Sequence, residues 1–134
     1  MALNLIKGQI AKLVADYFEK DYRRITHALE VMKYSEMVMS HFDAYDYEIV
    51  IASALLHDIG IKNSEKELGY NDGKTQETYG PPVARKLLSA IDFPKGKIDK
   101  VCDIISNHHS KSRFDYVELE ILKIADSIVN RFDK

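Results

Sequence analysis

Apolar residues recur along most of this chain at intervals of three and four rather than in strict alternation, which predicts an all-α protein. About six helices follow from the pattern. The first covers 3–17, with Leu5, Ile6, Ile10, Leu13, Val14 and Tyr17 on one side. The second covers 21–42 and carries His27, Val31, Tyr34 and Val38 on one stripe, so His27 faces inward. The third starts at Asp43 or Asp46, either of which can cap it, and runs through EIVIASALLHD until Gly60 ends it. Its apolar residues surround the cylinder, as expected of a central, buried helix.

The stretch 61–80 contains Asn63, Gly69, Asn71, Asp72, Gly73 and Gly80 and has weak periodicity, so it reads as one long loop. A short helix over 64–68 is the one element it could hold. Pro81 and Pro82 suit the first turn of a fourth helix, PPVARKLLSAI, where a missing donor costs nothing. Pro94 then breaks the chain. A fifth helix over 96–108 carries Ile98, Val101, Ile104 and Ile105, and a sixth over 116–132 carries Val117, Ile121, Ile124, Ile128 and Phe132.

The length of 134 residues fits one domain spanning 1–134, without internal repeats. With 19 basic and 21 acidic residues the net charge is -2, so no global positive field draws the chain to a nucleic-acid duplex. The longest strongly apolar run, 49–56, falls far short of the roughly 20 residues that cross a bilayer, so no membrane association is expected. The amino terminus lacks a secretory pattern and reads as mature protein. A single cysteine, Cys102, excludes an internal disulfide and reads as buried filler, and the cytoplasm is the expected location.

Charged and titratable groups stand out on three of the predicted helices. Asp126 shares a stripe with Leu119, Leu122 and Val129, which turns its carboxylate toward packed apolar surface. Burial of a bare carboxylate demands neutralisation, an Arg or Lys partner, or a metal ion. His57 and Asp58 close the most apolar helix, where a carboxylate meets the negative end of the dipole. A bound cation reverses that sign. With His27 they form a set of two imidazoles and two carboxylates suited to Fe, Mn, Ni, Zn or Mg. Taken singly, His27 reads as a hydrogen-bonded core histidine and Asp126 as the partner of a buried Arg.

The segments RRITHALEVMKYSEMV, ASALLHDIGI and LEILKIADSIVN together resemble the HD superfamily of metal-dependent phosphohydrolases, whose pattern is H, then HD, then D. The resemblance covers 23–130. It implies an all-helical bundle in which His27, His57, Asp58 and Asp126 coordinate one metal. His108 and His109 look like the paired histidines that complete a second metal site in dinuclear branches. Those branches carry a further His between the HD and HH elements, and this chain has none there. Glu77 and Tyr79 occupy that region, and Glu77 could substitute as a ligand. One metal is therefore expected, with a second site, or a phosphate contact, open at His108, His109 and Glu77. His41 fits no element of the pattern and reads as surface.

The resemblance implies hydrolysis of a small-molecule phosphate ester, a nucleotide above all, by metal-activated water. Asp58, Arg24 and Lys62 are the candidate catalytic groups, Arg24 and Lys62 as cations for the phosphoryl oxygens. Lys74, Lys111 and Arg113 lie on segments read as flexible that could close over substrate. The family often has a lysine directly after HDIG, whereas here Ile61 stands there and Lys62 follows. Two alternatives use the same scaffold: a non-catalytic metal- or nucleotide-binding regulatory module, and a di-iron oxygenase. No feature marks the oligomeric state.

Overall fold

The computed structural model describes residues 2–132; Met1, Asp133 and Lys134, at the ends of the expected 1–134 domain, lie outside the described residues. Among the described residues there are seven α-helices and no strand: α1 (Ala2–Phe18), α2 (Tyr22–Met39), α3 (Tyr47–Leu56), α4 (Ile61–Leu68), α5 (Gly73–Ser89), α6 (Lys95–Ile105) and α7 (Val117–Phe132). The all-α expectation holds.

The core is organised around α3. Every residue from Ile49 to Leu56 is buried, and α1, α2, α6 and α7 all pack against it. Asp46, not Asp43, caps α3, its side chain accepting from the Ile49 amide at 3.2 Å. Burying such a helix on all faces removes enough apolar surface to make it the stable centre on which the other helices are hung. The stripe of α7 points inward as expected, with Leu119, Leu122 and Val129 buried beside Asp126. Leu5 and Ile124, by contrast, lie on exposed faces of α1 and α7.

The expected long loop over 61–80 is instead two helices joined by residues 69–72. The Gly69 amide donates to the Glu65 carbonyl and its φ of 79° supplies the left-handed cap that ends α4. Asp72 then opens α5 with a capping box, its carboxylate accepting from the Thr75 amide at 2.8 Å while Thr75 Oγ1 accepts from the Asp72 amide at 2.9 Å. Pro81 and Pro82 consequently sit inside α5 rather than in its first turn. The earlier start masks itself in sequence because its first turns are polar. The cap, together with Ser64, whose hydroxyl donates to the Tyr70 carbonyl and lies in hydrogen-bond contact with Thr75 Oγ1, anchors them where apolar periodicity would elsewhere.

Gly60 does not end α3 through a left-handed conformation, since its φ is -79°. Its role is proximity. A Cβ there would stand 2.8 Å from the Tyr79 carbonyl carbon, and one on Gly80 would stand 2.7 Å from Ile105 Cγ2. Two glycines thus let the turn after α3, α5 and α6 close on one another, which brings the ends of α3 and α6 together.

Candidate metal centre

Four elements deliver titratable groups to one point. His27 comes from the inner face of α2, His57 and Asp58 from the turn that follows α3, Asp126 from α7, and His108 from the turn that follows α6. His27 Nε2 lies 3.3 Å from Asp58 Oδ2 and 3.2 Å from Asp126 Oδ1. His57 Nε2 lies 3.2 and 3.4 Å from the same two oxygens. The other carboxylate oxygen of Asp58 faces His108 Nε2 at 3.6 Å. The four residues expected as metal ligands therefore meet, and His108 joins them through Asp58.

The backbone fixes which nitrogen each buried imidazole presents. His57 Nδ1 donates to the Ala54 carbonyl at 2.7 Å, and His108 Nδ1 donates to the Ile105 carbonyl at 2.6 Å. Both rings thereby turn a Nε2 lone pair toward carboxylate oxygens, which can only accept. Neither of these Nε2 atoms nor Asp126 Oδ1, all buried, has a well-formed hydrogen bond. Acceptors facing acceptors in a dry interior require a proton or a cation between them.

The titration behaviour of the metal-free cluster follows from the same geometry. Burial opposes charging of His57, yet the Asp58 and Asp126 carboxylates outweigh it and hold the imidazole well above its ordinary range. Asp126, whose Oδ1 lies 3.2 Å from the His27 Nε2, likewise raises His27. Burial pushes the Asp58 carboxyl up, and His57 and His108 more than reverse this, leaving it well below the usual range. Asp126 is lowered too, burial being overcome by His27 and His57. Protons thus occupy places in the metal-free protein that a cation would take, and ligation by neutral imidazole and carboxylate suits the metals named from sequence.

The ligand atoms of His27, His57 and Asp58 lie within 4.8 Å of one another, and those of Asp58, His108 and His109 do the same. Asp58 belongs to both groups. Glu77 belongs to neither: it accepts from the His109 amide at 2.9 Å and from the Ser110 hydroxyl at 2.6 Å, so its carboxylate anchors the turn carrying the paired histidines. Gln76 stands at the second group instead, where His109 Nε2 donates to its Oε1 at 2.5 Å. Asn107, fully buried, holds the same turn by accepting from the Arg113 amide at 2.6 Å and donating to the Lys111 carbonyl at 3.0 Å. Gln76 and Asn107 carry no charge and sit in no charged pattern, so no signal in the chain singles them out.

The cations differ in what they reach. Arg24 lines a cavity of about 570 Å³ that opens beside His27 and Asp58, together with Arg23, Glu30 and Asn130. Its guanidinium is engaged by Glu65 in a two-pronged pair with both distances 2.8 Å. Lys62 turns to α1, donating to the Tyr17 carbonyl at 2.9 Å and lying over the Tyr17 ring. Lys74 sits in the first turn of α5 and not on a loose segment; Lys111 and Arg113 are exposed on the turn that Asn107 pins. His41 is exposed and Cys102 is buried, as read from sequence. No helix among the described residues is long and apolar enough to cross a membrane.

Comparison with known proteins agrees with this geometry. Residues 24–131 match the family model of the HD domain. A predicted HD superfamily hydrolase from an uncultured Thermotogales bacterium, known from its crystal structure, superposes with a TM-score of 0.66 at 26% identity, covering 92% of this chain and 72% of that one. Among curated proteins none matches the chain. A match over four-fifths of the sequence, carrying His27, the His57–Asp58 pair and Asp126 in one cluster, establishes that the chain belongs to the HD domain family.

Proposed function

We propose that this protein is a metal-dependent phosphohydrolase acting on a nucleotide or related phosphate ester, with His27, His57, Asp58 and Asp126 holding the metal. The observation that carries the reading is the convergence of Nε2 lone pairs and carboxylate oxygens at one buried point beside an open cavity. Bound by these residues, a divalent ion would supply a nucleophile from water at neutral pH and polarise a phosphoryl oxygen. Arg23 and Arg24, on the cavity wall, supply positive charge for the non-bridging oxygens. The similarity to a predicted HD superfamily hydrolase supports the hydrolytic class. Lys62, engaged by Tyr17, acts on structure and not on substrate in this reading.

The test is elemental analysis of untagged protein followed by phosphate release from a panel of nucleotides and other phosphate esters. Stoichiometric Fe, Mn, Ni, Zn or Mg with release from any ester supports the reading; protein that takes up none of these ions on reconstitution overturns it. The pairing of Arg24 with Glu65 favours a second reading, a regulatory module that binds metal and nucleotide without turnover, which metal-loaded protein inert toward every ester would select. The donor group of Asp58, His108 and His109 supports a second metal, and two irons with dioxygen consumption would select the oxygenase alternative.

A further inference from the structure

α2 and α7 run in the same direction along their seam, because His27 faces Asp126 at 3.2 Å and, further along both helices, Tyr34 stacks on Phe132 with ring centroids 6.1 Å apart. Glu30 follows His27 by three positions and Asn130 follows Asp126 by four, advances of about 4.5 and 6 Å along their helices. Both line the cavity, so a carboxylate and an amide stand at one level about one turn beyond the metal ligands. Arg23 lies about one turn before His27, on the opposite side of the ligands. Among the described residues Arg23, Glu30 and Asn130 have no side-chain hydrogen bond or ion pair, in contrast to Arg24. The cavity therefore has a cationic end and an end offering an anionic acceptor next to an amide.

A carboxylate can accept from two neighbouring hydroxyls while an amide N–H donates to one of their oxygens. The same carboxylate repels any additional phosphoryl group brought to that end. We propose that Glu30 and Asn130 form a hydroxyl-recognition subsite that selects a phosphate monoester whose body carries a vicinal diol and no second phosphoryl group. This rests on the phosphohydrolase reading for the position of the phosphoryl group, between the metal ligands and Arg23. The shared chemistry is that of a ribose phosphate, within a nucleoside monophosphate or as a simple sugar phosphate.

The experiment uses full-length, manganese-loaded protein and calorimetric binding of the phosphonate analogues of AMP, dAMP, ribose 5-phosphate and ADP, which release no phosphate. Hydrolysis of the parent esters is followed in parallel. The ribo analogue should bind about tenfold more tightly than the deoxy analogue, the worth of one hydrogen bond to a charged group. Glu30→Gln should reduce that preference to less than about threefold and improve ADP analogue binding, and Asn130→Ala should also reduce the preference, with melting temperatures unchanged. Ribose 5-phosphonate binding as tightly as the AMP analogue assigns the sugar phosphate; much weaker binding assigns the nucleotide. Equal ribo and deoxy binding by the wild type, an unchanged ratio in both variants, or no binding of any analogue overturns the subsite. Discriminating binding without hydrolysis of any ester upholds the subsite and overturns the phosphohydrolase reading instead.

Discussion

Gln76 Oε1 accepts a hydrogen bond from His109 Nε2, at 2.5 Å, and this contact decides how the second donor group can act. His109 is left with Nδ1 as its unprotonated nitrogen. Gln76 in turn donates to Asn71 at 3.0 Å, so a neutral side chain held from both ends stands beside the donors that Asp58 and His108 complete.

The first prediction concerns stoichiometry. A neutral amide is a weaker ligand than imidazole or carboxylate for these metals. The wild type should retain about one metal per chain after dialysis, and Gln76→His should raise the retained count toward two. Glu77→Ala should leave the count unchanged and loosen the turn at His109 and Ser110 instead, seen as faster amide exchange there. Elemental analysis and hydrogen exchange check the two halves separately.

Asp126 Oδ1 faces the His27 and His57 imidazoles, and its removal takes away one of the two carboxylates they face, leaving Asp58 Oδ2 at 3.3 and 3.2 Å. Asp126→Ala should abolish stable metal binding and lower the stability of the metal-free protein by about 1–3 kcal/mol, the cost of stranding buried polar groups. His57→Ala should also abolish metal binding. His41→Ala, on an exposed turn, should stay within about 0.5 kcal/mol of the wild type with full metal content. Thermal melts with and without metal read all three. A rise in melting temperature for Asp126→Ala, with metal content intact, would remove Asp126 from the ligand set.

Much of this was legible in the sequence because burial leaves a periodic trace. His27, Asp126 and the all-apolar α3 announced themselves by occupying positions where charge is costly or polarity absent. What escaped were elements built on polar chemistry. The start of α5 depends on the Asp72–Thr75 capping box, and the paired histidines are aimed by Asn107 and Glu77 through hydrogen bonds that leave no periodicity. Glu118 escaped as well: it is buried in the first turn of α7, where it accepts from the Asp46 amide at 2.7 Å and pairs with Lys100 at 2.9 Å, a partnership no local pattern reveals.

The pH dependence of metal-free and metal-loaded protein should differ. His27 and His57 are raised in the folded metal-free protein, so their contribution is complete at pH below the ordinary histidine range and is lost as pH rises through their folded values. Asp58 and Asp126 are lowered, so their contribution is present above the ordinary carboxylate range and is lost as pH falls through their depressed values. Metal-free stability should therefore be greatest in mild acid and decline toward alkaline pH. Metal displaces the imidazole protons, so loading should release protons, tighten with rising pH and remove the alkaline decline. Calorimetry in buffers of different ionisation enthalpy counts the protons, and denaturant midpoints across pH give the two stability profiles.

Three glycines separate close approach from backbone freedom. Gly60 packs its Cα against the backbone of Tyr79 and Gly80, with no flexible side chain to give way, so Gly60→Ala should cost about 1–3 kcal/mol and disturb the His57–Asp58 turn. Gly69 has open space around it but a φ of 79°, so Gly69→Ala should cost about 1–2 kcal/mol through strain alone and leave metal affinity unchanged. Gly8 lies within α1 with open space where a methyl group would stand, so Gly8→Ala should stabilise by about 0.5–1 kcal/mol. Urea midpoints rank the three, and metal titration separates Gly60 from Gly69. Equal metal affinity in Gly60→Ala and the wild type would mean that the approach of α5 does not set the geometry of His57 and Asp58 on the turn after α3.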